Sequence, residues 1–335
     1  MGARKWSRAA LVATAASCLA ACGVPDTVDS GDARMDTRGD NREEVAMNEL
    51  AMNDRAAHEA DVLDWRQRRR ARLTEPYGYL SLVGLVMLEP GNYVLGRAES
   101  ADLVLPGGPD RWGRLVVDAD QVVFEVDPAA IGRVTVGGEA VASAALAAGD
   151  EPTLIEADEV QAHLVTPGDR RALRVRDPDS PTRVGFRGLD YFPIDPAYRV
   201  VGERVPHEAG RTVQVANVLG QLIDEPNPGR VEFELDGVRH SLEAIDSDDD
   251  LFYIVADRTS GRETYGLGRF LYSDWPDEGG RVVLDFNRLY NPPCAFSEFT
   301  TCPLPPQGNR LDAWLRAGEL KYAGPAGREA AAPAD

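Results

Sequence analysis

The chain has 335 residues, 43% of them hydrophobic, and a formal net charge of −19 at pH 7. That length allows two domains with real cores. The acidity sets the chain against nucleic acid, whose binding rests on neutralising phosphates with Lys and Arg. The 32 Gly and 23 Pro suit a turn-rich β protein.

In chain order, Arg4, Lys5 and Arg8 precede an apolar run, Ala9 to Ala21, that is too short to span a bilayer, which takes roughly 20 apolar residues. The run closes on Leu19-Ala20-Ala21-Cys22. A basic start, a short apolar stretch and a small-residue cleavage site make a secretory signal over residues 1–21. A Cys directly after Leu-Ala-Ala marks it as a bacterial lipoprotein signal. It predicts acyl chains, such as palmitate, on Cys22 that hold the protein in the cell envelope outside the cytoplasm. Gly23 stands where the inner-membrane retention signal would place Asp, which favours the outer membrane or the cell surface. Removal of the signal leaves 33 basic against 55 acidic residues, a net charge of −22. Such a charge also repels anionic headgroups, so the expected membrane contact is the lipid on Cys22 alone.

Residues 22–47 are polar, with hardly any large apolar side chain, and read as a flexible stalk. Residues 48–76 turn helical, with Val62, Trp65 and Leu73 as contacts. The five arginines from Arg66 to Arg72 could meet an anionic partner, but the favoured reading is a solvated face near the helix C-terminus. From residue 77 the texture is strand and turn. Tyr79–Leu88, Tyr93–Leu95, Leu103–Leu105, Leu115–Val117, Val122–Val126, Val134–Val136, Val160–Val165 and Ala172–Val175 are short apolar runs at the spacing of a β-sandwich over residues 77–180. Pro178 and Pro181 mark the boundary to a second β-rich domain, residues 181–322. Its strands are expected at Arg199–Val201, Thr212–Val218, Val231–Leu235, Val238–Leu242, Leu251–Val255, Thr264–Tyr272 and Val282–Phe286, with Asp236-Gly237 as a hairpin turn. A short helix is predicted at Arg310–Ala317 and disorder at 323–335. The fold class is therefore mostly β: a sandwich followed by a second sandwich- or barrel-like domain, with an N-terminal helix.

Of the four cysteines, Cys18 leaves with the signal and Cys22 takes the lipid. Cys294 and Cys302 remain in an oxidising compartment, where they are expected to form a local disulfide. The Asp246–Asp250 run reads as a solvated acidic turn, because it lacks the Gly and distal Glu of an EF-hand loop. His58, His163, His207 and His240 show no zinc spacing, so neither metal nor cofactor is expected. There is no Gly-x-Ser-x-Gly elbow and no phosphate-binding P-loop.

Tyr93-Val94-Leu95-Gly96-Arg97 followed by Ala101-Asp102-Leu103-Val104-Leu105 resembles the opening of a forkhead-associated β-sandwich. In that family phosphothreonine is read by an Arg and then a Ser-Arg-His segment. The loop here, Gly107 to Arg114, has no Ser or His, so the resemblance implies the fold rather than phosphopeptide binding. A larger resemblance covers about residues 60–320. It is carried by Tyr79-Leu80-Ser81-Leu82-Val83-Gly84-Leu85, by Thr264-Tyr265-Gly266-Leu267-Gly268-Arg269-Phe270-Leu271, and by the stretch from Asp285-Phe286-Asn287 through Tyr290-Asn291-Pro292-Pro293-Cys294 and Cys302-Pro303 to Asn309-Arg310-Leu311. These resemble the uncharacterised bacterial and archaeal family called domain of unknown function 1684, which brings no established activity.

Two constellations are candidate sites. The proline-braced segment 285–311 carries Asp285, Asn287, Tyr290 and Asn291, which either form a polar cluster or pin the loop to the barrel. In the second, strand alternation from Glu263 would put Tyr265 and Arg269 on one face near Asp257, where an Arg fork could hold an anion or simply pair with Asp. The favoured reading is a binding protein for a small ligand or an envelope partner, its pocket lined by Tyr265, Arg269, Asp285, Asn287, Tyr290 and Asn291. One alternative is a hydrolase using Asp257 or Asp285 as general base and Arg269 to stabilise an anion. Another is a structural envelope assembly protein without a pocket. The shared site fails if Arg269, Asp257 and Asp285 are each consumed by backbone partners.

Overall fold

The computed structural model describes residues 37–324, with side-chain surroundings from residue 54 onward. The expected signal, Cys22, the first part of the stalk and the tail from residue 325 lie outside the described residues. Helix α1, Thr37–Leu73, starts ahead of the expected residue 48. Residues from Met52 onward form one compact unit. Within it α1 buries Val62, Arg69 and Leu73. Their spacing places them along one helical stripe. With so few apolar side chains on that stripe, polar contacts carry much of its docking.

The first β body consists of β1 (Leu82–Leu88), β2 (Gly91–Gly96), β3 (Leu103–Val104), β4 (Gly113–Val117), β5 (Val122–Val126), β6 (Val134–Val136), β7 (Ser143–Ala145), β8 (Ile155–Ala157), β9 (Val160–Val165) and β10 (Arg171–Arg176). They form two five-stranded sheets, ordered β1-β10-β9-β8-β6 and β3-β2-β4-β5-β7. Strict alternation explains the pairing: Leu115 and Val117 on β4, with Val122, Phe124 and Val126 on β5, all enter one core with Leu95, Ile155, Leu173 and Val175. Trp112 is fully buried there, and its Nε1 donates to Gly107 O at 3.0 Å. Gly108, at φ +76°, lies so close that a Cβ would sit 2.4 Å from that nitrogen. Only glycine fits both the backbone angle and the space. Because Leu173 and Val175 point inward, Arg174 and Arg176 emerge on the outer face of the same strand.

Ser180 closes the sandwich. Its hydroxyl donates to Leu80 O at 2.6 Å and caps the single-turn helix α2 (Pro181–Val184) through Arg183 N at 3.3 Å. The second body holds β11 (Arg199–Pro206), β12 (Thr212–Ala216), β13 (Leu222–Pro226), β14 (Gly229–Leu235), β15 (Val238–Ser247), β16 (Asp250–Val255), β17 (Arg269–Asp274) and β18 (Arg281–Asp285). Six strands run β17-β16-β15-β14-β11-β18, and the sheet curls until β17 approaches β18, a nearly closed barrel. Strands β12 and β13 pair separately. Asp236 and Gly237 turn the β14–β15 hairpin with φ of +52° and +75°, the left-handed pair of a type I′ turn. Phe233, Leu242, Tyr253, Leu271, Leu284 and Phe286 fill the barrel core. The mostly-β class with an N-terminal helix is the architecture expected.

Two element predictions are corrected. Residues 264–268 form turns rather than the start of a strand, with Gly268 at φ +96°. Arg310–Ala317 is not a helix but irregular, extended chain. The second departure traces to one buried arginine.

Candidate functional site

Arg269 opens β17 with no exposed surface. A buried guanidinium needs acceptors for its donors. The extended segment beside it turns the carbonyls of Leu315, Ala317 and Glu319 toward it, every second residue. Arg269 donates to all three, at 2.8 Å to Leu315 O and 3.2 Å to Glu319 O. Its Nη2 also meets Asp257 Oδ2 at 3.1 Å, and neither side chain is exposed. Asp257 Oδ1 accepts from Thr259 N at 2.7 Å and from Leu315 N at 3.4 Å. A helix at 310–317 would turn those carbonyls inward along its own axis. The spacing of Leu311 and Leu315 imitates a helix, but the demand of Arg269 for acceptors wins.

The proposed polar cluster of segment 285–311 is likewise spent on structure. Asp285 Oδ1 accepts from the backbone N–H of Asn287 at 3.1 Å and from its side-chain amide at 2.9 Å, and Oδ2 lies 2.8 Å from His58 Nε2 on α1. Asn287 pairs twice with the Asp195 backbone, accepting at 3.0 Å and donating at 2.9 Å. Asn291 donates its side-chain amide to Leu320 O at 2.8 Å and its N–H to Glu319 Oε2 at 2.8 Å. Glu319, fully buried, receives Arg69 Nε from α1 at 3.0 Å. Tyr265 spends its hydroxyl on Cys294 O at 3.2 Å. Glu263 faces away and pairs with Arg316. Arg269, Asp257, Asp285, Asn287, Asn291 and Tyr265 therefore fasten the C-terminal segment and α1 to the barrel; they do not line one pocket. Of the two carboxylates expected as a general base, Asp257 has no exposed side-chain surface and Asp285 is held by Asn287 and His58.

Cys294 and Cys302, expected as a disulfide, are two free thiols, with Cys302 buried. The N–H of each donates to the sulfur of the other, at 3.0 and 3.3 Å, and Thr300 Oγ1 donates to Cys294 Sγ at 2.8 Å. The thiol hydrogen bond from Cys302 is the main cause holding the Cys294 thiol below its ordinary range.

Of the six predicted pocket residues, Tyr290 lines an open cleft of about 800 Å³, within the size range of small-molecule sites. Helix α1 supplies one wall, with Trp65, Arg69 and Arg72; the turn after it adds Tyr77 and Tyr79. The barrel supplies Phe270, Tyr272 and Tyr290. Tyr290 meets Phe270 edge-on at 5.7 Å, Tyr272 nearly parallel at 6.4 Å and Trp65 at 6.2 Å between centroids, and the Arg69 guanidinium lies 4.6 Å over its ring.

The third wall is the outer face of the sandwich, where Arg174 and Arg176 project from β10. Among the described residues neither makes a side-chain hydrogen bond or ion pair, and the Nε of each is buried without a partner. Burial holds both guanidinium pKa values below the ordinary value, and Arg176 depresses Arg174 further. His163, directly opposite Arg174 on β9, is held down to about 4 by burial and then by Arg176 and Arg174, so it is neutral at pH 7. Two acids, Glu75 and Asp250, also line the cleft.

The sequence reasoning did not single out Arg174, Arg176, Tyr79 or Tyr272, and it read Arg69 as one of a solvated set. One signal was available: Arg174 and Arg176 alternate with the apolar Leu173 and Val175, so both had to share the face opposite the core.

Comparisons with known proteins add family and not activity. Residues 184–320 match the family model described as "Protein of unknown function (DUF1684)". The match starts well after the Tyr79–Leu85 motif. A solution structure of an uncharacterised protein from Haloarcula marismortui is 33% identical, covers 41% of this chain and 78% of that one, and has a TM-score of 0.35. No curated protein matches.

Proposed function

We propose, for a chain whose residues 184–320 belong to the DUF1684 family, that it is a binding protein whose small organic ligand seats in the aromatic cleft between α1, the sandwich and the barrel. The observation that carries this reading is the convergence of Trp65, Tyr79, Phe270, Tyr272 and Tyr290 from three parts of the fold onto one open volume of about 800 Å³. Flat, rigid rings are the usual means of burying an organic ligand at low entropic cost. The burial of Asp257 and Arg269, and the hydrogen bonds of Asp285 to Asn287 and His58, favour this reading over the alternative of a hydrolase using Asp257 or Asp285 with Arg269. The sandwich, with its forkhead-associated-like opening, serves in this reading as a wall. Arg97, the residue of that resemblance, is spent on Asp110 at 2.9 Å, so phosphothreonine is not the ligand proposed.

The place of action rests on the sequence: Leu19-Ala20-Ala21-Cys22 supports a lipid anchor in the envelope. Replacing Cys22 with Ser is expected to move the protein from the membrane to the soluble fraction, and unchanged membrane association would refute the anchor. Thermal-shift screening of the full chain against small organic metabolites tests the site. Hits that raise the melting temperature are expected to lose their effect in Trp65→Ala and Tyr272→Ala. Hits indifferent to both substitutions, or none at all, would count against the cleft.

A further inference from the structure

From the same cleft we infer a ligand class: the site is built for an organic anion, a planar ring carrying one carboxylate, sulfonate or phosphate group that lies against Arg174 and Arg176. The inference rests on the cleft being the binding site and adds the charge of what enters it.

Among the described residues these two side chains lack acceptors. An arginine does not shed its charge at neutral pH, and a guanidinium drawn out of water needs an acceptor or a counter-charge. Arg269 shows how this fold serves one: its two Nη groups reach three carbonyls and a carboxylate, although its Nε, like theirs, is buried without a partner. Arg174 and Arg176 have none of these, although the chain carries 55 acidic residues. They stand two residues apart on one strand, so they also repel each other. Their cross-strand neighbour His163 cannot compensate, since in its neutral state it brings no negative charge. Arg72 adds a third unpaired cation to the same cleft, and Arg69 is already neutralised by Glu319. Against these stand Glu75, which is exposed, and Asp250 in the cleft, and Asp150 in a smaller hollow that both arginines also line; none of the three bonds to Arg174 or Arg176. The Nε of each is buried without a partner, while both side chains line the open cleft. An anion laid across them supplies the missing acceptors in the bidentate geometry that a guanidinium fork favours. The rings of Tyr272, Tyr290 and Trp65 then meet the body of the molecule, which sets a planar organic anion apart from inorganic phosphate.

Two dyes that share one ring system separate charge from shape: 8-anilinonaphthalene-1-sulfonate and its uncharged counterpart N-phenyl-1-naphthylamine. Their fluorescence is titrated with the full chain. The anionic dye is expected to bind at least about tenfold more tightly than the neutral one, and Arg174→Gln/Arg176→Gln to remove that advantage while leaving the neutral dye within about twofold. Equal binding of both dyes, lost in Tyr272→Ala but untouched by the arginine double variant, would overturn the anionic class and leave the cleft standing. Binding of either dye that ignores Tyr272→Ala would overturn both readings. Should the double variant fail to fold, salt dependence in the unaltered protein decides. Affinity for the sulfonate that falls with added NaCl, with none lost for the amine, supports the inference; a salt-independent sulfonate affinity overturns it.

Discussion

Arg269 in the barrel and the pair Arg174 and Arg176 on the sandwich are the same residue type drawn out of bulk water, and the fold treats them in opposite ways. Around Arg269 the chain bends its own backbone: an extended segment brings the carbonyls of Leu315, Ala317 and Glu319, and Asp257 adds its carboxylate, onto the guanidinium. Around Arg174 and Arg176 no such accommodation exists, and a cleft lies open in front of them. A buried arginine whose acceptors come from the backbone is a structural bolt. One left without acceptors beside a cavity is a binding group in waiting.

Replacement of Arg269 should strike hardest. Arg269→Met leaves Asp257 charged and sealed in, and strands the carbonyls of Leu315, Ala317 and Glu319. A stability loss of about 3–5 kcal/mol is expected in urea denaturation. A loss under about 1 kcal/mol would erase the contrast with the sandwich pair.

The next effect is in pH. His163 has a folded pKa of about 4 against 6.5 in the unfolded chain. The unfolded chain therefore binds the extra proton between those values, and stability falls as pH drops from about 6.5 to 4, by up to about 2 kcal/mol after allowance for partial solvation. Below pH 4 both states carry the proton and this contribution stays flat. His163→Gln should remove that part of the pH slope, measured as the difference between the two proteins' melting curves across pH 4–7. If the slope is unaltered, His163 is not held neutral in the fold by burial and the neighbouring arginines.

Smallest of all should be the stability change in Arg174→Gln or Arg176→Gln. Each removes an unpaired cation, so the unfolding free energy should stay within about 0.5 kcal/mol of the parent or rise. Marked destabilisation in urea would mean that these residues are bolts after all.

Much of the fold was legible in the sequence and little of the site. Alternation at Leu115–Val117 and Val122–Val126 and the Asp236-Gly237 turn are local signals, and they were enough to place sandwich and barrel strands. The site depended on non-local partners. Asp285, Asn287 and Asn291 are the polar residues a ligand site would use, but whether they meet a ligand or the backbone of Asp195 and Leu320 is decided by chain far away in sequence. The same holds for Cys294 and Cys302, whose spacing fitted a disulfide but whose sulfurs are held by each other's N–H groups. Arg310–Ala317 misled because its apolar spacing suits a helix, while the competing demand came from Arg269. The cleft itself draws its walls from α1, β10 and β17, which no single window of sequence contains.

The last turns of α1 are at once a wall of the cleft and a clamp on the barrel. A fragment trimmed to residues 184–320 would forfeit more than a flanking helix. Glu319 would be stripped of Arg69 and Asp285 of His58, while Tyr290 would look out over bulk solvent with neither Trp65 nor Arg174 opposite it. Screens run on so reduced a piece would return silence whatever the natural ligand is.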